Sequence, residues 1–503
     1  MHKKIIVSGW GQITQGKELT EAIQDPLGLM AQAARQAEEK SGSAVLENID
    51  GIMTVMTISR HYPDAARQLA QKIKATPRFT HTSKIGGESP QSLINKAAGM
   101  IARGELETIL IAGAETYYPR TKNPIKPENA LFQGLPEDYQ GDDSIGATEL
   151  ELRHGIAQPV QGFPLFETAL WAESGLEFNA YLMRLGKLWS QHSQIAANHP
   201  NAWSKKGYTA AEIITKNPFN RMVAFPYPKL MNPFVTVDLG AAIILMSEEK
   251  SRQFRQNRKF SQKENRPVYF IGGGHAKDRQ RFLIEKSSFT SSPPLKAAVD
   301  KALQRATLTL DEIEAFDLYS CFPCAVGMAL KMLELKQNDP RPFTVTGGLG
   351  FFGGPGNNYS LHAVATMVEM IAEGRINNGL VTALGWFMHK HAAGIYSATP
   401  AETDLSQHDL EDAKAPLTGS QPVPIAEKVT GKGRIETYTV IYKKDGTPDY
   451  SVIYGTTEKG LRFIANTDTD LETIIALTTK NQVGKSVQLR YDDQKRRNLA
   501  QLL

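Results

Sequence analysis

The sequence predicts an α/β protein built from two similar halves and followed by a small all-β module. Apolar runs that end in glycine alternate with alanine-rich helical segments, the pattern of βα units. These features recur later in the chain, in the same order and at a nearly constant offset. Beyond about residue 424 the pattern changes to short alternating strands separated by turn signals, as in small barrels.

The first element is Ile5-Ile6-Val7-Ser8-Gly9-Trp10-Gly11, a strand running into a glycine turn, matched by Val268-Tyr269-Phe270-Ile271-Gly272-Gly273-Gly274. An alanine-rich helical stretch at 29–39 has its counterpart at 294–306. Leu46-Glu47-Asn48-Ile49-Asp50-Gly51-Ile52 then resembles Leu310-Asp311-Glu312-Ile313-Glu314-Ala315-Phe316. Each half next offers a Gly-rich loop, a helix and a strand. The first loop is Gly86-Gly87-Glu88-Ser89-Pro90 and the second is Gly353-Gly354-Pro355-Gly356. The helices end at Ala102-Arg103-Gly104 and Ala372-Glu373-Gly374. Strands alternating with helices predict parallel sheets, and two such halves predict a pseudo-twofold pair of them.

Between the halves lies an insertion, residues 117–232, rich in aromatics, His and Pro, with a helix expected over 178–197. Insertions of this size often shape a binding site. The expected division is 1–250 for the first half, 251–400 for the second, 401–424 for a polar, Pro-containing linker and 425–503 for the β module. In that module Arg434-Ile435-Glu436-Thr437-Tyr438-Thr439-Val440 alternates with a period near two, and Asp445-Gly446 marks a turn. It resembles the OB-like modules that accompany some acyl-CoA enzymes.

Composition excludes several classes. The formal net charge is +4 over 503 residues, and no block of like charges adds to it, so nothing argues for nucleic acid. No window approaches the 18 or so apolar residues of a membrane helix. The apolar run after Met1-His2-Lys3-Lys4 is too short for a secretory signal, and the C-terminal Gln501-Leu502-Leu503 carries no address signal. Two cysteines, Cys321 and Cys324, make no disulfide framework and suit a reducing cytoplasm.

Three stretches carry a family resemblance. They are Val237-Asp238-Leu239-Gly240-Ala241-Ala242, Asp317-Leu318-Tyr319-Ser320-Cys321-Phe322 and Thr346-Gly347-Gly348-Leu349-Gly350-Phe351-Phe352-Gly353-Gly354-Pro355. With the duplicated order they resemble the thiolase superfamily over about residues 1–398. The appended β module and the wording of the loops resemble its thiolase-like protein type 1 branch, related to the sterol-carrier-protein thiolases. The resemblance implies a duplicated thiolase fold, five-layered αβαβα, with an insertion loop domain and a C-terminal all-β OB-like domain.

It also implies where catalytic groups belong. A thiolase needs a thiolate that attacks an acyl-CoA, a histidine that accepts its proton, donors for the thioester oxyanion and a second acid/base cysteine. By the resemblance, the nucleophile falls on Gly86 or Gly87 and the histidine on Gly354. The Asn or His of the third motif falls on Tyr319, and the second cysteine near Gly385-Trp386. No position carries its familiar group, which argues against Claisen condensation or thiolysis by the usual route. The expectation is a protein that binds CoA or an acyl-CoA thioester as a ligand, with no permanently bound cofactor and no metal. The alternatives are an acyltransferase that uses other residues, or a scaffold in lipid metabolism that recruits a partner through the β module.

Candidate residues follow with their rival readings. Tyr319 either donates to a thioester oxygen or is a packed tyrosine. Cys321, with Cys324, is either a buried inert pair or a redox pair or displaced nucleophile; two cysteines alone make no zinc site. His389, Lys390 and His391 either meet a thioester oxygen or CoA phosphate or form a solvated loop; His391 is the catalytic candidate among them. Asn357, Asn358 and Glu88 lie in the Gly-rich loops, which are either tight turns or room for a larger acyl group. His192 and His199 are expected at the surface. The stretch 78–84 resembles the strand by which thiolases dimerise, yet its charged ends also suit a blunted edge, so a monomer or weak dimer is expected. The deciding feature is what occupies the space between Gly86-Gly87 and Gly353-Gly354.

Overall fold

A computed structural model describes residues 2–16, 23–42, 44–119, 146–256, 266–410, 416–467 and 470–503. Part of the insertion, 120–145, and part of the linker, 411–415, lie outside the described residues.

The first half runs β1 (Ile5–Thr14), α1 (Pro26–Ser41), β2 (Gly51–Thr54), α2 (Ala65–Ile73), β3 (Phe79–Thr82), α3 (Ser89–Ala102) and β4 (Thr108–Thr116). Local chemistry sets these boundaries. The Asp25 carboxylate accepts from the Gly28 amide, Pro26 opens the helix, and Gly42 ends it at φ 75°, as N-cap, N1 and C-cap rules require. The insertion contributes α4 (Glu149–Arg153), α5 (Pro159–Ser174), α6 (Phe178–Asn198), α7 (Ala210–Ile214), β5 (Met222–Ala224) and β6 (Tyr227–Pro228). β7 (Asp238–Ser247) and α8 (Glu248–Gln256) complete the half.

The second half repeats the plan with β8 (Tyr269–Asp278), α9 (Pro293–Ala306), β9 (Ala315–Asp317), α10 (Pro323–Met332), α11 (Gly348–Phe351), α12 (Tyr359–Ala372), β10 (Asn378–Gly385) and β11 (Lys390–Ser397). The strand order is β3-β2-β4-β7-β1-β8-β11-β10-β9, which reads alike from both ends. Where β3 would have its counterpart, the Phe316 and Leu318 amides donate to the Pro342 and Phe343 carbonyls at 2.9 Å each.

The expected all-parallel pairing does not occur. β2 is parallel to β3 and β4, and β9 to β10, but β7 and β11 are antiparallel to both their neighbours. For β11 the reason is connection length: the few residues from β10 to β11 allow only a reversal, since a parallel return needs a long crossover; β7 is antiparallel to β4 although the whole insertion lies between them. The halves also meet edge to edge, β1 pairing with β8 at Ile5–Phe270 and Ile6–Tyr269.

Glycine permits the close approach of the outer helices. A Cβ on Gly9 or Gly11 would overlap the Ala37 or Ala33 carbonyl of α1, and one on Gly272 or Gly274 the Ala302 or Ala298 carbonyl of α9. The inner layer is α3 and α12, which touch each other and strands of both halves. Both are almost wholly buried, so their N-terminal loops meet at the centre of the molecule.

After β12 (Leu417–Thr418) come β13 (Gly431–Tyr442), β14 (Pro448–Thr457), β15 (Arg462–Ala465), α13 (Leu471–Thr479), β16 (Ser486–Asp492) and β17 (Arg497–Leu502). Their order is β15-β14-β13-β16-β17, and a parallel bridge from Asn466 to Leu499 closes the ring. Five closed strands with a helix between the third and fourth form an OB-like barrel. The insertion joins it: β5 pairs with β13, and the Phe225 amide donates to the Val440 carbonyl at 2.8 Å.

Candidate functional site

The two Gly-rich loops are tied to each other. Asn357 accepts from the Gly86 amide at 3.0 Å and donates to the Met56 carbonyl at 2.9 Å. Asn358 donates to the Gly113 carbonyl at 2.7 Å, and its side-chain Oδ1 is buried without a hydrogen-bond partner. Ser360 donates to the Gly87 carbonyl at 3.3 Å. Both asparagines thus hold the halves together at the start of α12.

The space above the first pair of glycines is occupied, and not by the nearby aromatics Phe351, Phe352 or Trp386. A Cβ on Gly87 would overlap the Tyr319 hydroxyl and stand 2.5 Å from the Leu384 carbonyl oxygen. A Cβ on Gly86 or on Gly385 would overlap the Glu88 carboxylate. Gly354 differs: its nearest neighbours, on Pro233, Phe234 and Leu349, lie at 3.5 to 3.7 Å, ordinary contact. Phe351 packs toward Tyr208, Phe352 against His199, Tyr359 and His362, and Trp386 against Gly146.

Glu88 ends the first loop and faces Lys390, the first residue of β11, with Nζ and Oε1 3.4 Å apart and both side chains buried. Lys390 also donates to the Ile85 carbonyl at 3.4 Å. Tyr319 follows β9, its amide donating to Thr382 Oγ1 at 2.9 Å. Burial, then the neighbouring Cys321 and Glu88, push its hydroxyl well above the usual tyrosine range, so it is a proton donor throughout the physiological range. Carboxylate, ammonium and phenol therefore converge on Gly86, Gly87 and Gly385. From the sequence Glu88 is legible only as a loop residue. The available signal was an acid directly after Gly-Gly and before a helix, where the helix N-terminus favours a negative charge.

The remaining candidates lie apart from this cluster. Successive strand residues face opposite sides of a sheet: Lys390 faces Glu88, and His391 Nε2 meets Ser292 Oγ at 3.1 Å beside α9. Burial holds the His391 pKa down at about 3. His389 is buried with both ring nitrogens unpartnered. Burial first, then Lys390, Lys286 and Arg281, hold it well below its usual range. It is a neutral imidazole. The sequence 389–391 is thus a buried turn and strand start rather than a solvated loop. Cys321 and Cys324 are both buried and in no disulfide, and burial pushes both thiols far up. The Cys324 thiol donates to the Phe163 carbonyl at 3.4 Å.

His192 and His199 are buried, against expectation. His192 stacks on Trp189, and His199 Nε2 meets Thr366 Oγ1 at 2.9 Å. Among the described residues no cluster of side chains suits a metal ion, and no helix is long and apolar enough to cross a membrane. One surface cavity of about 420 Å³ lies between α5 and β13, and another of about 270 Å³ beside α2 and β3. Neither is lined by the cluster.

Comparison with known proteins places this geometry in a family. Residues 413–494 match the thiolase-like protein type 1 additional C-terminal domain. No curated protein matches the chain. A monomeric SCP2-thiolase like protein type 1 from Mycobacterium smegmatis superposes with a TM-score of 0.81 at 31% identity, over 99% of both chains. The Ltp2-ChsH2(DUF35) aldolase superposes at 0.61 with 18% identity, over 78% of this chain and 97% of that one. An acetyl-CoA acetyltransferase from Syntrophomonas wolfei superposes at 0.56 with 15% identity, over 79% and 100%. The last two share the fold alone; the first, similar along its whole length, shows that this chain belongs to the SCP2-thiolase-like proteins of type 1.

Proposed function

We propose that this protein binds CoA or an acyl-CoA thioester at the meeting point of α3 and α12 and performs no cysteine-dependent thiolase chemistry. One observation carries the reading: Glu88 and Tyr319 fill the space above Gly86, Gly87 and Gly385, where the family resemblance puts two thiols. A thiolate nucleophile also needs a lowered pKa and access, whereas both cysteines are buried with raised pKa. CoA esters are the ligand class because an acetyl-CoA acetyltransferase shares the fold, and because Tyr319 and the two helix N-termini offer donors for a thioester oxygen.

The monomer is the favoured state. The relative similar along the whole chain is described as monomeric, and β3 is a four-residue edge strand, short enough to discourage pairing.

The test pairs binding with turnover. Calorimetric titration with acetyl-CoA and longer acyl-CoAs should give saturable binding. Incubation with acetoacetyl-CoA and CoA should give no thiolysis above the protein-free blank. Absence of binding at millimolar ligand would overturn the first part. Thiolysis that disappears in Cys321→Ala would overturn the second.

A further inference from the structure

The Glu88 carboxylate occupies a slot walled on one side by Gly86 and on the other by Gly385. Its Oε1 faces Lys390 at 3.4 Å, and Oε2 is the atom that a Cβ on either glycine would meet first. The Tyr319 hydroxyl stands over Gly87, close enough to Glu88 for the carboxylate's charge to raise its pKa. Glu88 also precedes the first turn of α3, whose dipole favours the ionised form. A buried carboxylate is costly unless it is paired; Lys390 supplies the cation here, and three glycines keep room for the carboxylate and for a phenol.

We propose that Glu88 and Tyr319 form an acid/base pair that enolises acyl-CoA thioesters bearing an α-hydrogen. This rests on the CoA-thioester reading and names its chemistry. In the step the Cα–H bond breaks and the proton goes to Glu88 Oε2. The electron pair moves into the thioester and leaves negative charge on its oxygen. The Tyr319 O–H, protonated at working pH, donates a hydrogen bond to that oxygen. Return of a proton from Glu88 restores the thioester, so the cycle needs no oxidant, reductant or leaving group. Lys390, whose Nζ lies 3.4 Å from Oε1, is a positioning residue that holds the carboxylate in its slot and favours its charged form.

The experiment is α-hydrogen exchange. The full chain is incubated with acetyl-CoA in deuterated buffer, deuterium in the acetyl group is read by mass spectrometry, and binding is measured by calorimetry on the same preparation. The wild type should incorporate deuterium above the protein-free rate. Glu88→Gln should lower that rate about 100-fold or more, the scale of lost general-base catalysis. Tyr319→Phe should lower it about tenfold or more with binding retained. Lys390→Met should shift the exchange–pH profile to higher pH, because a carboxylate without its cation ionises later. A purely structural lysine would lower the rate at every pH and leave the profile in place.

Binding without exchange in the wild type overturns this inference alone. Neither binding nor exchange overturns the CoA reading as well. Exchange undiminished in a folded Glu88→Gln overturns the role of Glu88. Should Glu88→Gln fail to fold, exchange undiminished in Tyr319→Phe overturns the pair.

Discussion

At Gly87 the absent side chain is a packing requirement. An added Cβ meets the Leu384 carbonyl oxygen at 2.5 Å, and a backbone atom within a sheet cannot step aside. Gly87→Ala should therefore destabilise the protein by about 3 kcal/mol, the upper range for overpacking. Gly354→Ala, with neighbours at 3.5 Å and beyond, should cost under about 1 kcal/mol. Urea unfolding of the two variants separates them. The sequence displays both glycines as equal gaps, because a gap and its filling come from residues far apart: Tyr319 and Leu384 lie well over two hundred positions from Gly87.

Glu115 shows a second effect at this scale. It is fully buried, accepts from the Ile58 and Ser59 amides at 2.7 Å each, and desolvation still raises its pKa from 4.5 to about 7. The folded state therefore holds this proton more tightly than the unfolded chain does. The contribution is fully present below pH 4.5 and is lost as pH rises through 7. Between those limits the wild type should lose about 3 kcal/mol relative to Glu115→Gln, which stays neutral. Thermal melts of both proteins across this window check the sign. Equal slopes would contradict it.

Among the elements, periodicity carried the repeated βα units and the barrel strands. It carried no strand direction, so the antiparallel β7 and β11 escaped it. Nor could it reveal that the turn before β11 holds Trp386 and Met388 at φ 50° and 60°. Such left-handed non-glycine residues store strain and cluster at functional sites. His192 is buried on the same face of α6 as its neighbour Trp189, which periodicity could have shown, whereas His199 is covered by Thr366 of α12, 167 positions away, which it could not. Within the barrel, Asn498 holds three segments: it donates to the Glu427 and Ile464 carbonyls and accepts from the Val429 amide, all at 3.0 Å. Asn498→Ala should cost about 3 kcal/mol, since it leaves buried backbone groups unpaired. Urea unfolding measures it.

For the whole molecule, the β module is bound into the thiolase body. Tyr454 donates to Glu151 at 3.1 Å, Tyr450 to the Gly155 carbonyl at 2.8 Å and Asn466 to the His154 carbonyl at 3.0 Å. A covered surface of this kind agrees with a monomer, and light scattering should give the single-chain mass of 55.5 kDa. A mass twice that would show that β3 or another edge pairs after all. The duplication was legible because each half repeats its own glycines and apolar runs. The contents of the central cluster were not, because they are assembled from the starts of α3 and β11 and the end of β9.

Binding of a CoA thioester at this cluster, as proposed above, needs no thiol. Calorimetric titration of acetyl-CoA into the Cys321→Ala/Cys324→Ala double variant tests it most directly. The expected result is saturable binding of one ligand per chain, equal to that of the wild type. Wild-type binding that vanishes with the cysteines, or no binding by either protein at millimolar ligand, would contradict it.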